Sequence, residues 1–257
     1  PNGAGKTTAI SLMLGLRRPT SGKALVFGRD PREPANRARL GAMLQESGVP
    51  ATLKVREIVE LASRTYARPL PVAQALEMAD LTGKANALCS TLSGGQKQRL
   101  YFALSVCGDP DVLFLDEPSV ALDVESRRAF WEQVGGFARR GKTIILTTHY
   151  LEEADALAER IVVINRGSIV ASGTPAEIKA RVGGKRLKFR SPEADPHVLK
   201  AVPGVQRVSV TNDAADIYTL EPERVLRELY KRDYQFSDLE VAGAGLEEAF
   251  VEITAAA

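Results

Sequence analysis

Two hydrophobic rhythms divide this chain. Over residues 1–182, short apolar runs alternate with stretches of helical spacing. Residues 7–16 place Ile10, Met13 and Leu14 at helical spacing, and residues 94–106, 124–139 and 151–158 also read as helices. Between them, residues 40–44, 112–115, 143–147 and 161–165 are strand-sized, and 23–27 reads as a short strand ending at Gly28. Uniformly apolar strands alternating with helices predict a buried parallel sheet and an α/β fold. Residues 54–86 are helical, with Val55, Ile58, Val59 and Ala62 on one face; Pro69 and Pro71 separate two segments. Arg166-Gly167-Ser168 is a hairpin turn, and Thr174 caps a helix that Pro175 opens and that runs to residue 182.

Past Gly183-Gly184 the rhythm shortens. Residues 186–190, 205–211 and 216–220 alternate, 236–241 is strand-like, and 196–202, 223–231 and 246–253 are helical. This predicts a boundary near 182–185 and a small α+β domain over 185–257. That domain holds no acid–His–Cys cluster, so no chemistry is expected of it.

At 257 residues the chain can bury one large core, or one large and one small. A net charge of +2 is too small to make nucleic acid or an anionic membrane a bulk partner. No run approaches the roughly 20 apolar residues that span a bilayer, so a membrane process would need spans from another polypeptide. Cys89 and Cys107 have no metal-ligand spacing around them and read as structural thiols.

The candidate chemistry lies in the first rhythm. Pro1-Asn-Gly-Ala-Gly-Lys-Thr-Thr8 has the end of a phosphate loop, G-x-x-x-x-G-K-[ST]. The opening Gly and the strand that feeds such a loop are expected before Pro1, so the sequence reads as lacking its N-terminal strand or strands. Glycines let backbone N–H groups point into the loop, and the helix N-terminus adds positive potential. Lys6 is expected at the β- and γ-phosphates, and Thr7 on Mg²⁺ through its hydroxyl. Taken alone, this could be a chance glycine-rich turn.

An apolar strand ends in Asp116-Glu117, at the edge where α/β sheets place ligands. Asp116 is expected to bind Mg²⁺ and Glu117 to polarise the attacking water as general base. Two acids capping a strand would be the blander account without Lys6 and Thr7. At Leu92-Ser-Gly-Gly-Gln96, Ser93 offers a hydroxyl, Gly94 and Gly95 allow close backbone approach, and a helix aims its dipole at an anion. Such a Ser is elsewhere an ordinary N-cap. His149 follows a strand in Thr-Thr-His-Tyr and could hydrogen-bond a γ-phosphate, although a lone His is more often structural. His197 reads as a surface residue of the small domain.

The three motifs in this order resemble the nucleotide-binding subunit of an ATP-binding cassette (ABC) transporter, over about residues 1–182. The resemblance implies a P-loop NTPase sheet with a helical subdomain at about 46–100. ATP and Mg²⁺ are the implied ligands. Asn2, Gly3, Ala4, Gly5, Lys6, Thr7 and Thr8 would hold the phosphates. Gln45, as the family's Q-loop, would bind Mg²⁺ or orient water, and His149 would sense the γ-phosphate. Ser93, Gly94, Gly95 and Gln96 would meet the ATP of the opposite subunit. Asp123 would lie in the D-loop at a dimer interface, although Val120 and Ala121 depart from the residues usual there.

The implied partners are a second cassette, identical or paired, and integral membrane permease subunits docked on the helical region. Nucleic acid is not expected. The implied place is the cytoplasmic face of the cell membrane, reached through the permease. Leu246-Glu-Glu-Ala-Phe-Val-Glu-Ile253 resembles the C-terminal extension of drug- and polysaccharide-type (ABC-2) exporter ATPases, implying export. The alternative is a non-transport ABC ATPase acting on DNA or ribosomes. The 84 residues between Thr8 and Ser93 hold no sustained heptads, and the chain carries one cassette, not two. A non-catalytic regulatory cassette would usually lack Glu117 or His149, and both are present.

Overall fold

Three parallel strands carry the first part of the chain: β1 (Leu40–Met43), β2 (Val112–Asp116) and β3 (Thr143–Thr147), in the order β1-β2-β3. The computed structural model describes residues 3–44, 48–120 and 122–255. The chain packs as two compact units, Asn2–His149 and Tyr150–Ala257.

In the first unit every residue of β2 is buried, as expected of a central strand covered on both faces. Ile10 and Leu14, from and just after α1 (Lys6–Met13), pack with Leu40, Val112 and Phe114. After the short α2 (Pro34–Arg37), four helices form the larger core: α3 (Val55–Ser63), α4 (Val72–Met78), α5 (Gly94–Val106) and α6 (Val124–Ala138). Leu113 and Leu115 of β2 join them in that core. Phe102 and Phe130 meet edge to face at 5.5 Å, and Trp131 continues the stack from Phe130 at 5.4 Å.

The helical stretch expected over 54–86 is shorter in the structure. Glu57 accepts from the Lys54 N–H at the start of α3, and the chain leaves α4 at Asp80, whose φ is 50°. Single 3₁₀ turns at Thr82–Lys84 and Cys89–Thr91 bridge to α5. The strand expected at 23–27 does not form. Phe27 and Gly28 are both left-handed, at 54° and 74°, so Val26 and Arg29 pair as a single bridge across a tight turn.

The second unit opens with α7 (Leu151–Leu157) and a hairpin of β4 (Ile161–Asn165) and β5 (Ser168–Gly173). β4 was expected in the buried parallel sheet. It pairs antiparallel with β5 instead, in a separate two-stranded sheet, because left-handed Arg166 and Gly167 turn the chain straight back. Next comes α8 (Pro175–Ala180), with the expected Thr174 cap realised as a capping box with Glu177.

A β-α-β-β-α-β unit follows: β6 (Lys185–Arg190), α9 (Pro196–Lys200), β7 (Val205–Thr211), β8 (Ala214–Thr219), α10 (Pro222–Lys231) and β9 (Ser237–Gly243). Its antiparallel order, β7-β8-β6-β9, is the split β-α-β arrangement. Leu187, Phe189, Leu199, Ile217, Val225 and Leu229 are buried in one core between this sheet and its helices.

The last helix, α11 (Leu246–Ala255), explains why the units divide at His149/Tyr150 while the break expected at 182–185 falls inside the second unit. Leu246 and Ala249 of α11 share a core with Val163, Ala171, Ile178 and Val182. A helix from the chain end thus covers the apolar face of the segment before Gly183. Tyr218 donates to Glu252 at 2.6 Å and fastens α11 to the sheet.

Candidate active site

The phosphate-loop residues form the entry to α1. Gly3 and Gly5 sit at φ 74° and 106°, where a side chain is strained, and Gly5 is the N-cap. Ala4 is buried, Lys6 half-buried, and Thr7 and Thr8 are exposed on the first turn. No acidic residue occupies that turn, so the helix N-terminus keeps its positive potential. Asn2 and Gln45 lie outside the described residues.

The acids stand at the end of β2. Asp116 pairs in register with Thr147 at the end of β3. Asp116 is 2% exposed, and its Oδ1 accepts from the Thr147 hydroxyl. Its Oδ2 is buried with no hydrogen-bond partner among the described residues. A buried, unsatisfied carboxylate oxygen is expensive unless something positive meets it.

Glu117 follows with φ 50°, a left-handed conformation rare for a residue with a side chain. Its N–H is shared between the Thr147 carbonyl and hydroxyl oxygens, each at 3.1 Å. The turn carries the Glu117 side chain to His149, whose Nδ1 lies 3.5 Å from Glu117 Oε2. Asp116 and Glu117 therefore both bond to one residue, Thr147, and His149 reaches Glu117 from two places beyond it; in the sequence Thr147 signals only the end of a strand.

Leu92 to Gln96 forms the start of α5. Ser93 Oγ accepts from the Gln96 N–H at 3.3 Å, and Gln96 Oε1 accepts from the Ser93 N–H at 3.1 Å, a reciprocal capping box. The ordinary N-cap role is thus real within the subunit. Gly94 has no such local duty: its φ is not positive, and among the described residues a Cβ there would meet no atom within 4 Å beyond its own helix and chain neighbours. A Cβ on Gly95 would lie 3.6 Å from Leu122 and from Ser126 Oγ, which donates to Asp123.

Asp123 caps α6, accepting from Ser126 N at 2.8 Å and Ser126 Oγ at 2.9 Å. These bonds hold its carboxyl below the usual carboxylate range. The starts of α5 and α6 therefore adjoin in one subunit. Cys89 and Cys107 are buried, and burial raises both thiols, as structural cysteines require.

Among the described residues no group of three or more His, Cys, Asp or Glu side chains gathers to cage a metal. No helix of the described residues is long and apolar enough to cross a membrane.

A glycine loop on a helix N-terminus and acids at a sheet's C-terminal edge define the class, an α/β nucleotide-binding enzyme. The family described as ABC transporter matches residues 1–120. The Nod factor export ATP-binding protein I of Paraburkholderia xenovorans (strain LB400) is 36% identical, over 99% of this chain and 86% of that protein. Its counterpart in Rhizobium leguminosarum bv. viciae is 34% identical, over 99% and 84%.

Two solved structures are each 25% identical. An ATP binding subunit of an ABC transporter has a TM-score of 0.62, over 70% of this chain and 78% of that one. A dimeric post-hydrolysis ATP-binding cassette bound to ADP and Pi has 0.61, over 68% and 82%. The chain belongs to the ATP-binding proteins of ABC transporters, and it is the ATP-hydrolysing subunit of an exporter. Nothing in these likenesses favours the reading as an ATPase of DNA or ribosomes.

Proposed function

We propose that this subunit hydrolyses ATP with Mg²⁺ in a dimer, and that closure of the dimer drives a separate membrane permease. The observation that carries the reading is the buried, unpartnered Oδ2 of Asp116 beside the strained turn of Glu117. Asp116, Thr7 and Gln45 would hold Mg²⁺, which when bound neutralises phosphate charge. Asn2, Gly3, Ala4, Gly5, Lys6, Thr7 and Thr8 cradle the phosphates, with Lys6 on the β- and γ-oxygens. Glu117 takes a proton from the attacking water. The water oxygen bonds to the γ-phosphorus as the bond to the β–γ bridging oxygen breaks, and ADP and phosphate leave. His149 holds Glu117 and reports the state of the γ-phosphate.

Ser93, Gly94, Gly95 and Gln96 meet the ATP of the opposite subunit, with Asp123 at the interface. Two facts support this: open space at Gly94 among the described residues, and the dimeric state of the similar post-hydrolysis cassette. Residues from 185 onward do no ATP chemistry, and the protein works at the inner face of the cell membrane through its permease.

The test is Glu117→Gln in the intact subunit. The amide keeps the shape and loses the base, so turnover falls about 10²–10⁴-fold while ATP binding remains. An ATP-bound dimer should accumulate in size exclusion. Near-normal hydrolysis would remove Glu117 from the role.

A further inference from the structure

The hydroxyl of Thr147 does two things at once. It donates to Asp116 Oδ1, and it accepts from the Glu117 N–H at 3.1 Å. The parallel register sets Thr147 directly opposite Asp116, so the contact is built into the pairing of β2 and β3.

We propose that Thr147 is a positioning residue, fixing the metal-facing oxygen of Asp116 and the turn beneath Glu117. This rests on the Mg²⁺ reading of Asp116 above. A carboxylate at a strand end can rotate about its last bond. The Thr147 hydroxyl engages one oxygen and leaves Oδ2 buried with no hydrogen-bond partner among the described residues. The same hydroxyl's lone pair holds the left-handed Glu117 backbone, whose strain needs surrounding contacts to persist. A methyl in its place takes the donor from Asp116 Oδ1 and leaves the Glu117 N–H on the Thr147 carbonyl alone. Partners of metal ligands typically change metal affinity or activity 10- to 100-fold when removed.

The test compares Thr147→Val, of nearly the same shape, with Thr147→Ser, which keeps the hydroxyl. Binding of a fluorescent ATP analogue is titrated with MgCl₂, and melting temperatures are measured beside it. The Val variant should need about 10-fold more Mg²⁺ for half-maximal binding, with binding in the absence of Mg²⁺ unchanged. The Ser variant should return within about twofold of the native midpoint.

A folded Val variant with a native Mg²⁺ midpoint, or a Ser variant as defective as Val, overturns the proposal. If Thr147→Val does not fold, Thr147→Ala takes its place; failure of both makes the hydroxyl structural and also overturns it. A native protein whose nucleotide binding ignores Mg²⁺ would instead sink the metal reading of Asp116, and this assignment with it.

Discussion

His149 Nδ1 lies 3.5 Å from Glu117 Oε2, joining a residue two places beyond β3 to one just beyond β2. The imidazole is 44% exposed and the glutamate side chain 15%, so the histidine covers the acid from the solvent side. A general base must be held within hydrogen-bond reach of its water. Removing the ring frees the carboxylate to swing. His149→Ala should therefore lower turnover by about 10²-fold, the lower end of a general-base effect, while nucleotide affinity changes little. Steady-state hydrolysis beside equilibrium binding checks this; an equal loss in both would make His149 a binding residue.

Gly94 opens α5 with neither positive φ nor a crowded Cβ position. Ala is the better helix former by about 1 kcal/mol in a helix interior, and by less at an end. Gly94→Ala should leave the melting temperature level or slightly raised. Under the proposed trans geometry hydrolysis should nevertheless collapse, because the added methyl would stand where the partner's nucleotide approaches. Normal ATPase activity would leave this glycine without a function.

Ser93→Arg and Lys6→Ala should each be inactive alone, the first still binding nucleotide through Lys6. In a mixed dimer one composite site carries both defects and the other none, so activity should partly return. Because Ser93 also caps α5, its loss lowers stability by about 1 kcal/mol, and a melting curve must accompany the assay. Absence of recovery at every mixing ratio would count against the trans geometry.

Tyr218 is buried and donates to Glu252, and burial first, then that acceptor, raise its hydroxyl well above the ordinary value near 10. A folded-state value above the unfolded one means the folded protein holds its proton longer. The contribution is complete below pH about 10 and is lost as pH rises further. Tyr218→Phe should lower stability at neutral pH by about 1 kcal/mol and flatten the alkaline decline. Urea melts at neutral pH and above pH 10 would show it; an equally steep decline in the variant would place the titrating group elsewhere.

Much of the candidate site was legible because its motifs are local. Gly5-Lys6-Thr7, Ser93-Gly94-Gly95 and Asp116-Glu117 each state their chemistry within a few neighbours. The helix over 94–106 and the strand over 143–147 were also legible, since a buried face writes its period into the sequence. Thr147 was not, because its role depends on standing opposite Asp116, and strand register across a gap of some thirty residues leaves no local mark. β4 misled for a related reason: an apolar run says a strand is buried, not which strand covers it.

The sequence by itself determined the α/β class, the motif order and the identity of the catalytic candidates, since composition, spacing and residue chemistry suffice for those. Tertiary structure alone decided where the compact units divide. Gly183-Gly184 looks like a border along the chain, yet α11 returns to bury Val163, Ala171, Ile178 and Val182, and apolar burial takes no account of chain order. It also decided that one oxygen of Asp116 is satisfied by Thr147 and the other left open, because hydrogen-bond geometry exists only once the strands are paired.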